Sequence, residues 1–182
     1  MPEVASFSYP FATLQQLAED VLKHARGKGA TACEVDVSEG FGQSVGVRCD
    51  EVETIEFNRD KGVGVTVYCG QRKGYASTSD FSPRALRETV EAALAIARFT
   101  AADDCAGLAD AGLLARDRRD LDLYHPWALT VEDAIETARR CEQAAFDASP
   151  LVSNSEGASV STQQAHFVSA NSLGFMGGFA GS

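Results

Sequence analysis

Positive charge is scarce in this sequence. Sixteen Lys and Arg stand against 26 Asp and Glu, a formal balance of −10, and the basic runs are pairs such as Arg118-Arg119 and Arg139-Arg140. A chain that wraps nucleic acid needs clustered cations to neutralise phosphates, so direct nucleic-acid binding is not expected. Histidine is as thin: His24, His125 and His166 lie far apart, and no H-E-x-x-H pair sets two imidazoles on one helix face. Long apolar runs are missing too. Ala92 to Ala97 falls far short of the ~20 residues that span a bilayer, and Met1-Pro2-Glu3 lacks the basic region of a signal peptide. No membrane partner is expected, and the expected location is the cytoplasm. The five cysteines, at 33, 49, 69, 105 and 141, are odd in number and contain no C-x-x-C pair. They are expected to be reduced and mostly buried, not members of a disulfide framework.

A chain of 182 residues can bury roughly 70% of its unfolded surface and needs no covalent staple. Leu14, Leu17, Ala18, Val21, Leu22 and Ala25 repeat every 3.6 residues, which predicts a helix with one apolar face. Thr13 and Gln16 fit a capping box at its start. From Thr31 to Ser79 the period becomes two. Cys33, Val35 and Val37 alternate with Glu34, Asp36 and Ser38, and similar alternation runs through Val45–Cys49, Ile55–Phe57 and Val63–Val67. Turn-rich clusters separate these runs at 39–42, 50–51, 58–62 and 70–74. Short connections imply antiparallel neighbours, so a meander of four or five strands is expected here, one face covered by helices and one wetter.

Ser82-Pro83 opens a second helix carrying Leu86, Val90, Ala93, Leu94 and Ala97. Residues 99–129 are irregular. Thr130 to Asp133 opens a third helix that ends near Ser149-Pro150, and strand-like segments follow at 158–161 and 166–170, with a turn at 171–174. The expected fold class is therefore α+β: a mostly antiparallel β-meander with three main helices packed on the sheet. A helix followed by a hairpin occurs at 14–49 and again at 131–170, which suggests two similar units whose sheets could merge.

The chemical motifs are weak. Gly42-Gln43-Ser44-Val45-Gly46 fits G-x-S-x-G, but a nucleophile elbow needs a strand turning into a helix, and here a strand pattern follows. Ser44 reads as a hairpin residue. A metal site from His125, Cys105 and Asp103-Asp104 is conceivable but lacks ligand spacing. The acidic run Asp117, Asp120, Asp122 lacks a calcium loop's glycine and reads as a solvated face. Gly62-Val63-Gly64 lies inside a strand pattern, where glycine marks a bulge or a close backbone approach. A sheet edge stripped of side chains can also accept an extended peptide.

Two stretches carry a family resemblance. The run from Glu51 to Tyr68, with Asn58, Arg59, Asp60, Lys61, Gly62 and Gly64 at its centre, resembles the signature of the PmbA branch of the TldD/PmbA family. So does the run from Arg72 to Ser82, with Gly74, Ser77, Thr78 and Asp80. Ala106–Asp110, Leu121–Tyr124 and Asn171–Phe175 match later parts in the same order. The resemblance implies a cytosolic two-subunit metallopeptidase in which a TldD-type partner carries an H-E-x-x-x-H zinc motif and the PmbA type does not. It further implies unfolded peptides as substrates, including peptide-antibiotic precursors and an antitoxin, and an indirect link to DNA gyrase. No H-E-x-x-x-H occurs in this sequence, so the resemblance transfers no catalytic or metal residue, and zinc is expected only in the partner. Residues 1–182 are then expected to form a non-catalytic N-terminal domain, ending before the family's C-terminal domain. The ten signature residues are candidates for a peptide or subunit interface. The alternative is a non-enzymatic binding module that modulates DNA gyrase or a toxin–antitoxin partner.

Overall fold

The computed structural model describes residues 6–117 and 119–182; the Met1-Pro2-Glu3 start and Arg118 lie outside the described residues. Helix α1 covers Phe11–Gly27, and strands β1 (Ala32–Arg48), β2 (Glu51–Cys69) and β3 (Arg72–Thr78) follow. Helix α2 spans Pro83–Phe99 and α3 spans Val131–Ala148, with a single 3-10 turn at Ala111–Leu113 between them. Strands β4 (Ala158–Asn171) and β5 (Met176–Gly181) complete an antiparallel sheet of order β3-β2-β1-β4-β5. This is the α+β class, with helix-plus-hairpin units α1-β1-β2 and α3-β4-β5 joined where β1 pairs with β4.

One expectation needs correcting. Residues 31–79 make three strands, two of them 17 and 19 residues long, and the clusters at 39–42 and 58–62 are strand interior. They pair with each other: Gly40 lies opposite Asp60 and Gly42 opposite Asn58. Glycine here serves close approach. A Cβ on Gly42 would stand 2.2 Å from the Thr162 carbonyl oxygen of β4. The true turns are two-residue hairpins. Cys49 and Asp50 both take positive φ, at 49° and 67°, as a type I′ turn requires. Gly70, at φ 61°, opens the second.

Alternation decides what the sheet buries. Odd positions of β1 and β2 and even positions of β4 share the helix-covered face, where Val35, Val37, Val63, Val65, Val67 and Val168 are at most 1% exposed. Each such side chain contributes about 1.5–3 kcal/mol through burial. α1 lays Leu14, Ala18, Val21 and Ala25 on this core, and α2 adds Leu86, Val90, Ala93, Leu94 and Ala97. α3 covers the other end of β1 with Ala134 and Ala138, over Val45 and Val47.

Helix starts divide. Ser82 accepts the Ala85 amide at 3.2 Å and Thr130 accepts that of Asp133 at 3.1 Å, as their sequences predict. The Thr13–Gln16 box is not used, because α1 already begins at Phe11 behind Pro10. The cysteines are all free, as expected, yet not mostly buried: Cys33 is buried, Cys69 partly so, and Cys49, Cys105 and Cys141 are exposed. Cys49 sits on a hairpin tip, and Cys105 lies in the irregular 100–130 segment. Burial, aided by the neighbouring Glu34 charge, pushes the Cys33 thiol up to about 12.

Candidate functional site

The helix-covered face changes character halfway along β1. After Val35 and Val37 the next inward position is Glu39, only 2% exposed, and opposite it on β4 stands His166, 3% exposed. Their side chains approach to 3.5 Å. The Glu39 carboxylate also accepts the Ser8 amide at 2.8 Å, the Tyr9 amide at 3.0 Å and an Arg59 guanidinium N–H at 3.2 Å. Burial alone would raise this carboxyl, but the two amides, the Ser8 hydroxyl and His166 together hold it below its ordinary range. Burial also lowers His166, outweighing the pull of Glu39 toward the charged form. At neutral pH the pair is a carboxylate beside a neutral imidazole.

Aromatic rings close over this pair. Phe7 stacks on the His166 ring at 3.9 Å and meets Phe41 edge-on at 5.3 Å. Arg59 also lies over the Phe41 ring, 4.9 Å from its centroid, and Lys61 is as close to both Tyr9 and Phe81. The segment from Ser6 to Pro10 is thereby strapped across the sheet. Beside it opens a cavity of about 760 Å³, walled by the strap, His166, residues 119–124 and residues 178–180 of β5.

The signature residues do not converge on one site. Arg59 and Lys61 face the strap; Arg59 donates to Ser8 Oγ and the Ser6 carbonyl, and Lys61 to the Tyr9 hydroxyl. Asn58, Asp60, Gly62 and Gly64 lie on the opposite, open face, where Asn58 reaches Gln163 at 3.4 Å. Gly64 lies beneath the Tyr75 ring, and Ser77 is its cross-strand neighbour on β3. Gly74 is buried against α2, with space for a Cβ denied by the Ala93 carbonyl at 2.0 Å. Thr78 Oγ1 accepts the Asp80 amide, and Asp80 in turn holds the Ser82 amide and hydroxyl at the start of α2. The Ser82 amide and hydroxyl keep the Asp80 carboxyl below its usual range. The second signature stretch is therefore built into helix docking, and the first is split across the sheet.

A second buried carboxylate went unread in the sequence. Glu142 of α3 accepts the Cys49 and Asp50 amides at 2.8 and 2.9 Å, which clamps the β1–β2 tip and lowers its own carboxyl. Glu39 could have been found, because it continues the odd-numbered inward series Val35, Val37, Phe41. Glu142 could not, since its partners are backbone groups distant in sequence.

The other groups that the sequence singles out have local partners. Ser44 Oγ shares a hydrogen bond with Ser161 Oγ, at 2.9 Å, in the middle of β1. His24 pairs with Glu91, and His125 with Asp122 in the 100–130 segment. Among the described residues no group of three His, Cys, Asp or Glu side chains is placed to hold a metal ion.

A helix-backed antiparallel sheet of this layout recurs in solved structures. A Bacteroides thetaiotaomicron protein named as a candidate modulator of DNA gyrase superposes with a TM-score of 0.76 at 22% identity, over 91% of this chain and 38% of that one. TldE from Thermococcus kodakarensis gives 0.70 at 15% identity, over 90% of this chain and 37% of that one. Sequence comparison is more specific. The pattern described as PmbA/TldA metallopeptidase domain 1 matches residues 33–97, and that described as the central domain matches 124–182. The metalloprotease PmbA of Escherichia coli O157:H7 is 47% identical over 166 residues, 91% of this chain and 37% of its own length. The Haemophilus influenzae PmbA homologue is 44% identical over 169 residues, 93% of this chain and likewise 37% of its own. The chain belongs to the PmbA/TldD metallopeptidase family, and it spans about 37% of the length of these curated relatives. Among the described residues no helix is long and apolar enough to cross a membrane.

Proposed function

We propose that residues 1–182 are the non-catalytic N-terminal part of a PmbA-type subunit in a cytoplasmic two-subunit metallopeptidase. The zinc and its H-E-x-x-x-H motif belong to a TldD-type partner, where the metal polarises a peptide carbonyl and activates water. This part shapes the subunit contact and the approach of an unfolded peptide, such as a peptide-antibiotic precursor or an antitoxin. The observation that carries the reading is the one buried acid–imidazole pair of the sheet, Glu39 and His166. Within a family of metallopeptidases, both its members are spent on holding the strap and Arg59. The link to DNA gyrase is indirect, in keeping with the acidic balance of −10.

The test is reconstitution. This chain with stoichiometric zinc should not cleave unfolded peptides. A TldD-type protein should co-purify with the full-length subunit, and that complex should show hydrolysis lost on chelation. Chelator-sensitive cleavage by this chain alone overturns the proposal. Capture of gyrase without any zinc-bearing homologue favours the modulator reading instead.

A further inference from the structure

The helix-covered side of the sheet thins out along β5. Opposite the inward residues Ala170, Val168 and His166 of β4, β5 presents Met176, Gly178 and Ala180 in turn. Met176 still packs on the core. Beyond it the side chains shrink to a hydrogen atom and a methyl group, and the cavity of about 760 Å³ opens there. That volume lies within the ~300–1,000 Å³ range of small-ligand pockets. Phe7, Phe11, Leu121, Leu123 and Tyr124 stand among its walls.

One polar group is shut into this wall with its hydrogen bonding incomplete. The His166 side chain is 4% exposed, and its Nε2 lies 3.5 Å from a Glu39 carboxylate oxygen, without a well-formed hydrogen bond to any described residue. A carboxylate favours the N–H on the nitrogen that faces it, so the neutral ring carries its proton on Nε2. Nδ1 is then a bare acceptor, and among the described residues no donor is bonded to it. The strap uses one face of the ring, where Phe7 stacks at 3.9 Å, and Glu39 uses Nε2. Neither uses Nδ1, whose lone pair lies in the ring plane, so a donor held in the cavity that His166 lines meets it at the ring's edge.

Charge narrows the guest further. Glu39 is ionised beside the ring, Asp120 and Asp122 also line the cavity, and the Arg119 cation among the lining residues is paired with Asp117 at 3.3 Å. An anion is disfavoured there. A neutral aromatic ring bearing a hydroxyl fits, the ring against the aromatic walls and the O–H donated to the imidazole. A phenol, with its pKa of about 10, stays neutral at physiological pH.

We propose that this cavity is a binding site for a neutral phenol group, whose hydroxyl donates to His166 Nδ1 while its ring lies among Phe7, Leu123 and Tyr124. The site stands apart from the peptidase reading. A tyrosine of an unfolded peptide as the natural source of the phenol rests on that reading; a free phenolic metabolite does not. In heteronuclear NMR of the 182-residue chain, p-cresol should shift the His166 and Ala180 resonances, with a dissociation constant in the millimolar range that suits so few atoms. Toluene, which has the ring without the hydroxyl, should bind about tenfold more weakly. Ala180→Leu, which fills the floor opposite His166, should abolish both. His166→Phe should bring p-cresol down to the level of toluene, which loss of a merely structural residue would not do. No shifts up to about 10 mM p-cresol, toluene matching p-cresol, or binding indifferent to Ala180→Leu overturns the proposal. If His166→Phe does not fold, by circular dichroism, the two ligands and Ala180→Leu decide. An unstructured peptide with a single tyrosine separates the sources. The same shifts, lost when that tyrosine is replaced by phenylalanine, support a peptide guest. A response to p-cresol with none to the peptide overturns tyrosine as the source and supports a free phenol. Failure of p-cresol to bind leaves the co-purification test of the peptidase reading untouched.

Discussion

Glu39 is the residue on which the middle of the molecule turns. It collects two strap amides and the Arg59 guanidinium in a site almost closed to water, so its removal leaves several donors without an acceptor. Glu39→Ala should cost about 2–3 kcal/mol in chemical denaturation, with Glu39→Gln milder. The burial of His166 beside it also sets an acid limit. The His166 pKa is lowered from 6.5, so below that value the unfolded chain takes a proton the folded chain refuses. Stability therefore begins to fall as pH drops through 6.5. The Glu39 pKa is lowered from 4.5, so its contribution is present above that value and is lost as pH falls through the lower folded one. Melting temperature against pH should show both segments. His166→Asn should abolish the upper and Glu39→Gln should shrink the lower, where Glu142 also titrates. A His166→Asn profile that still declines between pH 6.5 and 5 would refute this assignment.

The elements dock by close approach as much as by apolar bulk. α2 lies so near β3 that Gly74 has no room for a methyl group: a Cβ there would fall 2.0 Å from the Ala93 carbonyl and 2.5 Å from the Ala97 amide. Both obstacles are helix backbone, which cannot rotate aside. Gly74→Ala should thus destabilise by about 1–3 kcal/mol as α2 is pushed off the sheet. The same change at Gly62, where the nearest atom would be 3.9 Å away, should be nearly neutral. Equal denaturation midpoints for the two variants would remove close docking as the reason for glycine at 74. The glycines of the two signature stretches thus have different reasons, which their spacing does not reveal.

At the scale of the whole molecule, protection should follow sheet order. β1 lies between β2 and β4, while β4 has an outer partner only over Ala165–Ala170 and β2 only from Val63. In hydrogen exchange on dilute protein, amides of Val35, Val37 and Val168 should be slowest, and those of Ile55, Phe57 and Arg59 should exchange at least about a hundredfold faster. Uniform protection along β2 would overturn this order.

Much of this architecture was legible because the relevant information is local. The 3.6-residue stripe of α1, the caps Ser82 and Thr130, and the period-two runs of valine each depend on neighbours a few residues away, and so the α+β class follows from the sequence alone. The family signature was legible for a different reason, since it is itself a pattern of residues in order. What the sequence could not decide is which glycines turn the chain and which let strands pass close together, because that depends on the partner strand. Gly40 and Gly62 look like hairpin residues until β2 and β4 are laid beside β1. Nor could it show that Glu39 and His166, 127 positions apart by their numbers, share one buried site. Only the pairing of β1 with β4 brings them together, and a carboxylate and an imidazole stay shut away from water there because the folded strap supplies the hydrogen bonds and the stacked ring that replace it.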